Sequence, residues 1–330
     1  MLSRQLGPTG PTVSALGLGA MGMSDFYGAA DEGESISTIH ASLDAGITLI
    51  DTGDFYGMGH NEMLIGDVLK QGSKRDKAIL SVKYGAQRAP DGAFLGFASD
   101  PASTKTAVAY TLKRLRVDYI DIYRPARVSP MVPIEDTVGA IADLVKAGYV
   151  RHIGLSEAGA ETIRRAHKVH PIVDLQIEYS ILTRGVEDKI LPVLRELGIG
   201  LTAYGVLSRG LISESALGGG SIGGFRSHSP RFRGENLGKN LTLVQALKAI
   251  ADEKGCSVAQ LAIAWVASRG DDIVPLVGAR KRERLVDALG ALDVTITPDD
   301  LARIDAAAPV GATAGARYAP EQMAMLDSEQ

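Results

Sequence analysis

The sequence predicts an α/β fold, a (β/α)8 TIM barrel with an N-terminal β-hairpin and additional C-terminal helices, and three observations lead there. Short apolar runs recur eight times along the 330 residues. Segments of roughly 10 to 15 residues with a 3.6-residue period separate them. Strand and helix signals therefore alternate, the mark of βα units with parallel strands, and eight such units close naturally into a barrel. A doubly wound open sheet is the runner-up architecture.

The elements follow in chain order. Residues 2–6 and 11–15 flank Gly7-Pro8-Thr9-Gly10 and read as a β-hairpin placed to close the barrel bottom. The strand candidates are residues 16–20, 47–51, 79–83, 119–123, 152–156, 173–176, 200–204 and 273–278. Between them, Val108, Leu112 and Leu115, and then Ile134, Val138, Ile141 and Val145, keep one apolar helical stripe. About 70 residues separate the last two runs, too many for a plain connection, and the glycine-rich residues 218–226 among them are a candidate lid. Thr297-Pro298-Asp299-Asp300 starts a further helix, with a capping Thr, a first-turn Pro and an acid three residues on. No linker divides the chain, so residues 1–330 read as a single domain.

Glycine supplies 38 of the residues, about 12% against a usual share of about 7%. No G-X-Y period or proline excess accompanies it, which excludes collagen-like and low-complexity designs. With 45% hydrophobic and 22% charged residues, the chain can bury a large core. A net charge of −4, from 35 Lys+Arg against 39 Asp+Glu, argues against nucleic acid or an anionic membrane as the main partner. No apolar run approaches the roughly 18 to 20 residues of a membrane span. The start, Met1-Leu2-Ser3-Arg4, leads into no apolar signal segment. The one cysteine, Cys256, has no internal disulfide partner, so a cytoplasmic location is expected.

Gly17-Leu-Gly19-Ala-Met21-Gly22 matches the dinucleotide fingerprint G-x-G-x-x-G. In a Rossmann unit those glycines lead straight into a helix, whereas here residues 23–28 intervene and helix sequence begins only near Glu34. The motif reads instead as a glycine-lined loop at a barrel mouth.

The chemically richest stretch is Asp51-Thr-Gly-Asp-Phe-Tyr56-Gly-Met-Gly-His60-Asn-Glu62, where an apolar strand ends in an acid and a tyrosine follows. It resembles the signature of the aldo-keto reductases. The resemblance runs from the hairpin to Leu301, through Lys83-Tyr84, Asp118-Tyr-Ile-Asp-Ile-Tyr123, Gly154-Leu-Ser156-Glu, Gln176-Ile-Glu-Tyr179, Tyr204-Gly-Val-Leu207-Ser208-Arg209-Gly210 and Ile273-Val-Pro-Leu-Val-Gly278. Within that superfamily the chain is most similar to the branch holding potassium-channel β-subunits and bacterial and plant reductases.

The resemblance implies an NADP-dependent reductase in which hydride reaches a carbonyl carbon while Tyr56 protonates its oxygen. A phenol with a pKa near 10 is a poor acid at neutral pH, and a nearby ammonium lowers that value. Lys83 is expected to tune Tyr56 in this way, and Asp51 to hold and charge-compensate Lys83. All three fall at C-terminal strand ends or just beyond, where barrels keep active sites. Taken singly, Asp51 could cap its loop, Tyr56 pack with its hydroxyl in solvent and Lys83 serve a structural ion pair.

One departure concerns the family's catalytic histidine, whose place falls in Arg124-Pro125-Ala126-Arg127, at Ala126. The loss removes a donor to the carbonyl oxygen, worth about 2.7 to 4 kcal/mol at sites of oxyanion type. Arg124 or Arg127 is expected to border the substrate pocket and partly supply that polarisation, with rim salt bridges as the competing role. His40, His60, His152 and His228 offer no replacement, and His167-x-x-His170 lacks a third ligand, so no metal is expected.

For the cofactor, the resemblance assigns Gly19 and Met21 to the mouth loop, Ser156 and Gln176 to the nicotinamide amide and Tyr204 to stacking on its ring. Leu207, Ser208, Arg209 and Gly210 are assigned to the pyrophosphate through main-chain N–H groups and a cation. After Gly278, Arg280-Lys281-Arg282-Glu283-Arg284 crowds four cations at a helix start, where dipole and guanidinium both suit phosphate. NADPH is therefore expected over NADH, with Arg280 on the 2′-phosphate and Arg284 and Asp287 near adenine. Substrate choice is assigned to loops holding Phe26-Tyr27, residues 84–97 and residues 218–236, Tyr84 among them. Two rival functions stay open, an NADPH-binding regulatory or interaction protein and a metal-dependent barrel hydrolase.

Overall fold

Parallel strands buried on both faces read as unbroken apolar runs, and each of the eight runs forms a strand of one closed barrel. A computed structural model describes residues 1–330 except Asp25, Ser221, Ile222 and the side chain of Phe225. Strands β1 (Ser3–Gln5) and β2 (Thr12–Ser14) make the antiparallel N-terminal hairpin. The barrel begins with β3 (Gly17–Gly19), β4 (Leu49–Gly53) and β5 (Ile79–Tyr84). A second hairpin, β6 (Ala86–Arg88) and β7 (Phe94–Phe97), rises beyond β5 and has no counterpart in the expected elements. The barrel continues through β8 (Ile120–Pro125), β9 (Val150–Ser156), β10 (Ile172–Glu178), β11 (Gly200–Tyr204) and β12 (Ile273–Gly278), which pairs with β3 and closes the ring.

The hairpin plugs the barrel bottom as expected. Leu6 and Val13 pack with Leu49, Ile122, Val173, Val274 and Leu276 in one buried cluster, each large side chain there adding roughly 1.5–3 kcal/mol. Outside the strands, Ile134, Val138 and Ile141 bury the expected stripe of the helix Ile134–Lys146. The helix Pro298–Ala307 starts at a capping box between Thr297 and Asp300.

The glycine motif behaves as the sequence reads it, and the long connection before β12 departs from expectation. The glycine motif at residues 17–22 leads into a short turn, Met21–Met23, and the next helix is Glu32–Asp44, capped by Asp31, so this is no Rossmann unit. The long connection before β12 is mostly packed structure, because the helices Gly234–Glu253 and Val258–Ala267 occupy it. The glycine loop proposed as a lid includes Ser221 and Ile222, which lie outside the described residues. After residue 307 the chain returns to the barrel mouth, where Tyr318 and the short helix Pro320–Met323 lie. Among the described residues no helix is long and apolar enough to cross a membrane.

Candidate active site

Adjacent strands bring the first charged pair together, because Asp51 and Lys83 come from β4 and β5, where Gly53 stands opposite Lys83. The Lys83 ammonium donates to Asp51 Oδ1 at 2.5 Å. Asp51 Oδ2 accepts from the Ser81 hydroxyl at 2.8 Å and from the Gln176 amide at 2.7 Å. Both charges are almost fully buried, where an ion pair persists only if its remaining hydrogen-bonding capacity is met. Beyond β4 the chain turns sharply through Tyr56–Gly59, with Gly57 and Met58 left-handed at φ 56° and 53°. That turn sets the Tyr56 ring with its centroid 5.2 Å from Lys83 Nζ, edge-on to Phe55. Asn61 anchors the turn by donating to the Ala20 carbonyl and accepting from Thr52.

The electrostatics correct one expectation. Burial pushes the Tyr56 phenol well above its ordinary value, Asp51 adds to the rise, and Arg127 opposes it. The rise from burial outweighs the lowering expected of Lys83, whose ammonium is also paired with Asp51. Burial also lowers the Lys83 ammonium, with Asp51 pulling the other way. Tyr56 is thus held in its protonated form, with the Lys83 ammonium near its ring and the Arg127 charge opposing the rise.

A cavity of about 850 Å³ opens above this group at the C-terminal strand ends, at the upper end of the usual ligand-pocket range. Asp51, Tyr56 and Lys83 line its floor, and Gly19, Met21, Ser156, Gln176 and Tyr204 line it as well. So do Leu207, Arg209, Gly210 and Gly278. Farther along lie Arg280, Arg284 and Asp287. The Ser156 hydroxyl is buried at the wall with no hydrogen-bond partner among the described residues, an orphan that a polar ligand atom would satisfy. Phe26, Phe55, Phe94 and Phe97 make another wall aromatic, and Ala126 and the half-buried Arg127 complete it. Among the described residues no three His, Cys, Asp or Glu side chains gather as metal ligands.

Three expected residues do not face the cavity. Arg124 is neither a pocket nor a rim residue: β8 extends to Pro125, so Arg124 points into the barrel, fully buried, and ion-pairs with Asp174 while donating to Ser81 at 2.9 Å. Tyr84 follows Lys83 on β5, and alternation along a strand turns it to the outer face. There its hydroxyl meets Thr104 at 2.8 Å and its ring stacks on Tyr123 at 4.5 Å. Ser208 turns inward to Ser180, and the Ser208 and Gly210 N–H groups are spent inside their own turn on Gly205 and Leu207. Of this turn, Leu207, Arg209 and Gly210 line the cavity and Ser208 does not. Arg209 itself is held by Glu178 at 3.1 Å and by the Arg317 carbonyl. Arg280 is clipped to the carbonyls of Tyr27, Gly28 and Ala29, which folds the 27–29 loop against β12.

The residues missing from the sequence reading lie in the C-terminal tail and its receptor. Arg317, itself buried, makes a two-pronged ion pair with the fully buried Glu157, and Tyr318 joins the cavity wall. Glu157 carries a φ of 52°, a left-handed conformation that a residue other than glycine adopts at a cost. Only an acid directly after the strand ending in Ser156 hinted at it.

The model of the Aldo/keto reductase family matches residues 15–309. A curated relative, the probable aldo-keto reductase 1 of Glycine max, is 42% identical over 322 residues, covering 95% of this chain and 91% of its own. Among solved structures, the glycerol dehydrogenase AKR11B4 from Gluconobacter oxydans superposes with a TM-score of 0.84 at 28% identity, covering 92% of this chain and 94% of that one. The thermostable aldo-keto reductase Tm1743, solved with the inhibitor epalrestat, gives a TM-score of 0.75 at 27% identity over 93% of this chain and 100% of its own.

Proposed function

The chain belongs to the aldo/keto reductase family, and on that premise we propose that it is an NADPH-dependent reductase of an aldehyde or ketone, with Tyr56 as proton donor. The observation that carries the reading is the buried Asp51–Lys83 pair beside Tyr56 at the floor of the cavity. The unpartnered Ser156 hydroxyl fits a nicotinamide amide, and Tyr204 beside it offers a stacking face. Leu207 and Arg209 would hold the pyrophosphate, Arg280 the 2′-phosphate, and Arg284 and Asp287 the adenine end.

A nicotinamide held there supplies the hydride. The protein's own part is proton delivery and charge control. Tyr56, kept protonated by burial, gives its proton to the carbonyl oxygen. Lys83 then faces a nascent phenolate across a dry site, where an ammonium counts for more than in water. Asp51 keeps that ammonium in place. Ala126 offers no donor, and with Arg124 committed to Asp174 inside the barrel, Arg127 is the one of the two expected arginines that lines the wall and can polarise the carbonyl. The aromatic wall selects substrates with an apolar body. We assign residues 1–330 to one barrel domain working in the cytoplasm, where a lone, half-buried Cys256 stays reduced.

Ala126 at the wall favours a second reading, an NADPH-binding regulatory protein with little turnover. NADPH consumption against a panel of aldehydes, ketones and sugars separates the two. The reductase reading expects oxidation with at least one carbonyl, and faster oxidation in Ala126→His. Tight NADPH binding with no oxidation by any substrate supports the regulatory reading instead.

A further inference from the structure

The tail that returns to the barrel mouth does more than cover it. Its Arg317 donates to Glu157 Oε1 at 2.8 Å and to Oε2 at 2.5 Å. Ser328, farther along the tail, adds a hydroxyl donor to Oε2 at 2.7 Å, and Asp327 accepts from the Gly159 N–H at 2.6 Å. The carboxylate of Glu157 is thereby fixed as an acceptor. Tyr204 donates its hydroxyl proton to Glu157 Oε1 at 2.6 Å. With that proton committed, the Tyr204 oxygen acts as an acceptor, from the Tyr318 hydroxyl 2.9 Å away and from Arg317 Nη1 at 3.4 Å. The Tyr318 oxygen in turn accepts from Arg127 Nη2 at 3.4 Å. Charge at one end therefore sets the direction of the whole chain, and hydrogen bonds linked in this way polarise one another.

The far end of the chain is the cation at the substrate wall. Arg127 is pinned at one edge by the Ala126 carbonyl at 2.6 Å and at the other by Tyr318, with Phe97 and Tyr318 rings 5.9 and 6.0 Å from its centre. A guanidinium has five donors, so these two contacts orient it without exhausting it. We infer that Tyr318 is a positioning residue for carbonyl reduction: through its hydroxyl, the C-terminal tail aims Arg127 at the substrate oxygen and ties that aim to Tyr204. The inference rests on the reductase reading above. It also explains how a site with alanine in the histidine position keeps a fixed donor, since an arginine on a long flexible stem would otherwise lose orientation.

The test is a double-mutant cycle on the full-length protein, using whichever carbonyl of the panel is reduced fastest. Tyr318→Phe keeps the ring and loses the hydroxyl. It is expected to lower kcat about tenfold, the effect of one hydrogen bond, while the NADPH Kd from fluorescence titration stays unchanged. In the Arg127→Ala background the same substitution is expected to add nothing. A second readout needs no turnover. In the cofactor-free protein, the Arg127 Nε–H resonance, identified by its loss in Arg127→Ala, is expected to shift in Tyr318→Phe. Full multiplicative effects in the double variant, or an unmoved Arg127 resonance, overturn the inference while leaving the reductase reading intact. Undiminished turnover in Tyr56→Phe overturns that reading, and the resonance still reports whether Tyr318 orients Arg127.

Discussion

Replacing Arg317 by methionine tests how far the tail is bound to the barrel by one ion pair. Burial alone would raise the Glu157 carboxyl, but hydrogen bonds and charge from Arg317 reverse this and hold it at about 2, against 4.5 for a free side chain. At 1.36 kcal/mol per unit that difference is about 3 kcal/mol, and removing one partner of a buried pair independently costs about 3–5 kcal/mol. Unfolding entropy of about 2.1 cal/mol/K per residue makes the expected fall in Tm about 5 °C for a chain of this length. Differential scanning calorimetry of the cofactor-free protein at pH 7 reads it. Because the folded value is depressed, the stabilisation is present above pH 4.5 and fades as pH falls toward 2, so the gap between wild type and variant narrows over that window. The double variant Glu157→Gln with Arg317→Met, which leaves no stranded charge, should recover part of the loss. A shift below about 1 °C, or a double variant no more stable than Arg317→Met, refutes the reasoning.

Other outcomes follow from the same structure. Burial, with the Glu62 charge adding, pushes the Asp54 carboxyl up to about 7 from 3.8; the folded state then keeps a proton that the unfolded chain gives up, so stability falls as pH rises between those values, by about 4 kcal/mol at most. Asp54→Asn should therefore raise Tm at pH 8 and leave it nearly unchanged at pH 4, and equal shifts at both would contradict this. Arg280→Ala should weaken NADPH about 10–100-fold, the range for a hydrogen-bonded charge, and leave NADH untouched, as isothermal titration would show. Tyr84→Phe loses the contact to Thr104 and should cost about 1 kcal/mol of stability, with no change in kcat/KM if Tyr84 stands outside the site.

Much of the barrel is legible because its strands are buried on both faces. Residues 200–204 and 273–278 match β11 and β12 end for end, whereas the 47–51 run sits two residues early because Ile47 still belongs to the preceding turn, its N–H bonded to Ser42. Asp51 and Lys83 are legible for the same reason, as charges ending apolar runs. Arg124 escapes the sequence pattern because β8 runs two residues past its last aromatic, Tyr123, and carries the guanidinium into the barrel toward Asp174. Period-two alternation from Lys83 already turns Tyr84 outward, a signal available in the sequence. Nothing comparable announces the tail. Residues 309–330 have no apolar period, and the partnership of Arg317 with Glu157 joins positions 160 residues apart. The proton affinity of Tyr56 was equally out of reach, because it depends on burial that only the folded loop creates.

The central claim is that Tyr56 delivers the proton while hydride moves to a carbonyl. Single-turnover oxidation of bound NADPH, followed by the loss of its absorbance in wild type and in Tyr56→Phe, tests it most directly. Oxidation by wild type is expected, with a rate about 10²–10⁴-fold lower in the variant, the contribution of a positioned acid, and NADPH affinity unchanged. Equal rates in the two proteins would contradict it.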